Sequence, residues 1–118
     1  MTKTEAEYIA ATLEIIKRPL SDEAPAMVSE LREAEGRVGY LYFLLAAANA
    51  ELDRQTAAAC EVLKAQDLKA YALEAQAEAM VSGWRKERDE IQGLIRALEG
   101  RTMVGLGILK YWKSLPQE

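Results

Sequence analysis

A chain of 118 residues with 15 basic and 19 acidic side chains, no histidine and one cysteine makes one small domain of restricted chemistry. Without histidine it lacks the commonest general base, the commonest metal ligand and the usual switch near neutral pH, and Cys60 alone cannot make an intrachain disulfide. Half of the residues are apolar, with much alanine among them, while 29% charged residues and only three prolines argue against disorder.

Thr4, with Glu7 as its capping-box partner, predicts a first helix over about 4–18, with Tyr8, Ala11, Leu13, Ile15 and Ile16 as its apolar face. Pro19 stops it, because proline lacks the donor N–H and disfavours helix in the residue before it. Ser21-Asp22-Glu23-Ala24-Pro25 then predicts a second start: a capping group, acids in the first turn and a proline where orphan donors cost nothing.

The second helix, about 22–64, carries a heptad seam through Met27, Leu31, Ala34, Val38, Leu41, Leu45, Ala48, Leu52, Gln55, Ala59 and Val62. A third helix, about 67–114, carries another through Leu73, Ala77, Met80, Trp84, Glu87, Ile91, Leu94, Leu98, Arg101, Gly105, Ile108, Trp112 and Leu115. Between Val62 and Leu73 the register slips by four residues. Asp67 sits in the gap as a candidate cap, which predicts a turn near 64–68; a continuous helix with a stutter is the other reading of the slip. Gly100, Gly105 and Gly107 mark close helix approach or a bend. Glu87 and Arg101, on the seam itself, are candidates for an inter-helix ion pair.

The expected fold is therefore all-α: a short N-terminal helix and a long antiparallel helical hairpin with coiled-coil-like seams, in a single domain over 1–118. Alanine-rich seams bury little area, which predicts a homo-oligomer stabilised by further copies of the chain. The expected oligomer seam is Leu31, Val38, Leu41, Leu45, Leu52, Met80, Trp84, Ile91, Leu94, Leu98, Ile108 and Trp112.

Catalytic patterns are absent. Cys60 lies in Ala57-Ala58-Ala59-Cys60 and reads as a packed thiol; Asp22-Glu23 and Asp89-Glu90 are helix neighbours that diverge by about 100°. The glycines of 98–107 come with no Walker lysine. We expect no catalytic residue, no metal and no cofactor. No apolar run reaches the roughly eighteen residues that cross a bilayer, and Met1-Thr2-Lys3-Thr4-Glu5 lacks a signal-peptide layout. The expectation is a soluble, cytoplasmic protein without a membrane partner.

Charge is unevenly spread: residues 1–63 carry 6 basic and 11 acidic side chains, residues 79–117 carry 7 and 4. Trp84-Arg85-Lys86 with Arg88, and Lys110-Tyr111-Trp112-Lys113, combine cations with aromatic rings, the pairing by which proteins hold single strands. Both tryptophans fall on the seam, where they read first as core; Tyr111 lies off it.

Asp67-Leu68-Lys69-Ala70-Tyr71-Ala72-Leu73-Glu74 and the glycine-spaced stretch from Leu94 to Tyr111, with Leu98-Glu99-Gly100 and Gly105-Leu106-Gly107-Ile108-Leu109-Lys110, resemble the UvsY recombination mediators of large tailed phages over about a third of the chain. The resemblance implies a helical, ring-forming, single-stranded DNA-binding protein that assists a RecA-like recombinase, acting in the host cytoplasm. The family's basic element has a lysine followed two positions on by an arginine; Lys69 matches the first and Tyr71 stands at the second. On this reading Lys64, Lys69, Arg85, Lys86, Arg88, Lys110 and Lys113 hold the strand, and the chain is a non-enzymatic recombination accessory. The alternative is a coiled-coil interaction protein, an inhibitor or scaffold, that binds a protein and no nucleic acid.

Overall fold

The computed structural model describes residues 1–116, and among them the chain forms four helices and no strand: α1 Lys3–Lys17, α2 Ala24–Lys64, α3 Ala70–Met80 and α4 Ser82–Ser114. The two long helices, α2 and α4, pack together as a hairpin. The fold class is thus the one expected.

The first helix is capped two residues earlier than expected, by Thr2 rather than Thr4. Thr2 and Thr4 both head a Thr-x-x-Glu box, and the chain uses the first. The Thr2 hydroxyl accepts from the Glu5 N–H and the Glu5 carboxylate accepts from the Thr2 N–H, both at 3.1 Å. The same cap placed earlier adds helical residues at no loss of satisfied donors. The buried face is also corrected: Thr12 and Ile15 are buried, whereas Ala11 and Leu13 face solvent. The second start agrees with expectation in its capping serine and its proline, but α2 begins at Ala24 rather than at about 22, so Asp22 and Glu23 precede the helix and its first turn carries no acid. The Ser21 hydroxyl accepts from the Glu23 N–H at 3.2 Å, the Ser21 N–H donates to the Glu30 carboxylate at 3.0 Å, and Pro25 lies in the first turn of α2.

Helix α2 ends at Lys64 and the turn falls at 65–67, inside the expected range. Asp67 does not cap the next helix. Its φ of 50° puts it in the left-handed region, where a short polar side chain is tolerated, and Lys69 takes the N-cap position of α3 without a side-chain bond. The third expected helix is two: Val81, at φ −102° and ψ 10°, separates α3 from α4.

The seams advance as a straight helix requires. Over the five heptads from Met27, an uncoiled helix drifts by about 20° per heptad, roughly 100° in all, which is one residue step. Accordingly Val62 is exposed and Leu63 is buried in its place. On the other seam Met80 is exposed and Val81 is buried beside the break.

The chain divides into two compact units: 1–42 with 93–118, and 43–92. In the first, the buried residues are Thr12 and Ile15 of α1, Met27, Leu31, Ala34 and Leu41 of α2, and Leu94, Ile95, Leu98 and Gly105 of α4. In the second, Leu52, Ala59, Leu63, Ala77 and Val81 form a small core against which Cys60, Leu68, Leu73 and Trp84 pack.

Candidate interaction groove

In the first unit, polar contacts fix α1 against the hairpin. The Arg37 guanidinium donates to the Thr12 hydroxyl at 3.0 Å and lies 4.8 Å above the Tyr8 ring, while Tyr8 meets Tyr40 edge-on with ring centres 4.6 Å apart. The Thr12 hydroxyl in turn donates to the Tyr8 carbonyl at 2.8 Å, so a buried polar side chain has both functions satisfied. Burial pushes the Tyr8 phenol up, against the opposing pull of Arg37. Arg101, an expected seam residue, donates to the Arg18 carbonyl at 3.3 Å, which places a cation at the C-terminal end of α1, where the helix dipole favours it.

Between the N-terminal part of α2 and the C-terminal part of α4 a groove of about 540 Å³ is open. Val28, Leu31 and Val38 from α2, and Met103, Leu106 and Leu109 from α4, supply its apolar surface. Arg32, Glu35 and Glu99 supply its charges. Met103 is 74% exposed and Leu106 56%, large values for apolar side chains that sit beside a buried core. The helices approach closely here: a Cβ built on Gly105 would stand 2.7 Å from Leu31 Cδ2. The Tyr42 hydroxyl donates to Glu99 Oε1 at 2.8 Å, and that bond to a carboxylate raises the Tyr42 phenol above its ordinary value.

The sequence-predicted seam residues are largely consumed within the chain. Leu31, Leu41, Leu52, Ile91, Leu94 and Leu98 are buried; Val38, Leu45, Trp84, Ile108 and Trp112 are half-buried. Met80 is the exception, exposed on α3. The hairpin thus covers surfaces that the sequence reading assigned to other copies.

The seven expected DNA-binding cations split between the units. Lys64, Lys69, Arg85, Lys86 and Arg88 belong to the second unit, Lys110 and Lys113 to the first. Three are engaged by the chain's own acids: Lys64 with Glu61 at 3.1 Å, Arg85 with Glu78 at 3.8 Å, and Arg88 with Asp89 at 2.9 Å. A shallow depression at Ser82, Arg85, Lys86, Asp89 and Glu90 mixes both signs of charge. Trp84 packs half-buried on the core of the second unit, whereas Tyr111 is exposed.

Among the described residues no three Cys, Asp or Glu side chains converge as metal ligands, and no helix is long and apolar enough to cross a membrane. Sequence reasoning missed Arg32, Glu35, Met103 and Leu106. The signal was present as a second row on each helix, one residue-step around from the seam (Arg32 and Glu35 on α2, Met103 and Leu106 on α4), but the stronger heptads masked it. Compared with known protein families, curated proteins and solved structures, the chain matches none of them.

Proposed function

We propose that the chain is a non-enzymatic helical interaction protein whose working surface is the groove between α2 and α4. The observation that carries this reading is the pairing of Met103 and Leu106, exposed at the groove, with a rim of both charge signs. An apolar strip edged by mixed charges suits the apolar face of another helix, whose polar flanks then meet Arg32, Glu35 and Glu99. A polyanion has less to engage, since Lys64, Arg85 and Arg88 already face carboxylates of their own chain.

A photo-crosslinking residue at Met103, used in the cell that makes the protein, tests the reading together with anisotropy of a labelled poly-dT strand at about 50 and 200 mM salt, where counterion release acts strongly. A polypeptide adduct from position 103, with no anisotropy change at low salt, is the expected result. Absence of any polypeptide adduct overturns the reading. Oligonucleotide binding that falls with salt and is lost in Lys64→Ala with Lys69→Ala restores the mediator account.

A further inference from the structure

We propose that the occupant of the groove is a second copy of this chain, docked antiparallel about a two-fold axis; this rests on the reading of the groove as the working surface. The argument is charge order along the two helices that border it. On α2 the row is Val28, Arg32, Glu35, Val38: apolar, basic, acidic, apolar. On α4 it is Glu99, Met103, Leu106, Lys110: acidic, apolar, apolar, basic, at helical spacings of four, three and four.

Each row is complementary to its own reversal. Stacking α2 on a reversed α2 sets Arg32 against Glu35 of the second copy and Glu35 against Arg32 of the second copy, with Val28 and Val38 within one residue of register at both ends. Stacking α4 on a reversed α4 sets Met103 against Leu106 and Glu99 against Lys110, again twice. A two-fold contact needs this self-complementarity, because every pairing occurs twice with the roles exchanged.

One axis serves both rows. The centre of the first falls between Arg32 and Glu35, that of the second between Met103 and Leu106. The contact of Gly105 with Leu31 brings these centres within about one helical turn, 5.4 Å, of each other along the hairpin. Among the described residues Arg32, Glu35 and Lys110 are held by no ion pair, and Glu99 keeps Oε2 free beside its bond from Tyr42. The groove's lining residues, five on each helix, run over 28–38 and 99–109, about 15 Å of each helix, so the contact is a short four-helix layer with Met103 and Leu106 of both copies at its centre.

The test is charge reversal and its repair, read as the dimer dissociation constant by sedimentation equilibrium, with helical content checked by circular dichroism. Arg32→Glu alone and Glu35→Arg alone each turn two attractions into two repulsions and should weaken the dimer about tenfold or more. The double exchange, Arg32→Glu with Glu35→Arg, should restore it, a rescue that no merely structural role would give. Leu106→Asp, at an exposed position, should leave the fold intact and give the monomer mass. A wild-type chain that sediments as a monomer at micromolar concentration overturns self-pairing, as does a dimer indifferent to all these substitutions. A crosslink from position 103 to a foreign polypeptide overturns self-pairing and leaves the interaction reading standing, whereas no crosslink at all removes both.

Discussion

Replacing Gly105 by alanine tests the close approach of α2 and α4 directly. The added Cβ would lie 2.7 Å and 3.1 Å from the two Leu31 methyl carbons, against about 3.5–4.0 Å for relaxed carbon contacts. Leu31 is 7% exposed, so it can yield only toward the groove it lines, and displacing it costs roughly 1–3 kcal/mol as overpacking. Against this stands the helix-propensity gain of about 1 kcal/mol for glycine to alanine. The control is Gly93→Ala on the same helix, where nothing lies within 4 Å of the new Cβ and only the gain operates. Gly93→Ala should therefore be stabilised by up to ~1 kcal/mol and Gly105→Ala destabilised by up to ~2 kcal/mol. At this chain length each kcal/mol corresponds to roughly 3–5 °C in Tm. Urea unfolding followed by circular dichroism, with thermal melts beside it, resolves the two. Equal stabilisation of both variants would refute the close approach.

Three further outcomes follow from the same geometry. Leu98→Ala, at a side chain with no exposed surface, should cost about 2–5 kcal/mol in the same urea experiment. Arg37→Lys should cost about 1–2 kcal/mol, because an ammonium cannot both donate to Thr12 and lie flat over Tyr8 as the guanidinium does. In a spectrophotometric titration of the five tyrosines, Tyr8 and Tyr42 should ionise above the ordinary phenol value of about 10, Tyr8 through burial and Tyr42 through its bond to Glu99. A raised folded-state value means the folded chain holds the proton longer, so this stabilisation is complete below about pH 10 and is lost as pH rises through the folded values. Tyr42→Phe should remove one late step and leave the other.

The helices and their partners were legible because heptads report burial. Met27, Leu31, Ala34, Leu41 and Leu52 on one seam, and Ile91, Leu94 and Leu98 on the other, are buried as the spacing demands. The turn at 65–67 was legible from the register slip, since a four-residue phase change leaves no continuous face. What failed did so for local reasons. Two equivalent threonine boxes cannot be ranked by pattern, so the cap was misplaced. Val81 follows a run of strong helix formers, and the Ser82-Gly83 pair just beyond it was the one local sign of the α3–α4 break, outweighed by a heptad that runs on across it. Gly105 could be suspected of close approach, but its open neighbours Gly100 and Gly107 look the same in sequence. Thr12, polar and buried, was invisible to an apolar count because its partner Arg37 lies 25 residues away.

The link between α2 and α3 gives this chain a natural point of attachment. Residues 65–67 are exposed, and they are held by backbone bonds from Gln66 to Leu63 at 3.0 Å and from Asp67 to Lys64 at 3.4 Å. Leu68 alone of the link turns inward, and Lys69 opens α3 without a side-chain cap. Lengthening such a loop is thermodynamically mild, about 0.6 kcal/mol for each doubling. A tag or small reporter domain grafted between Gln66 and Asp67 would therefore leave both long helices uninterrupted, and its position on the chain lies outside the residues that line the groove.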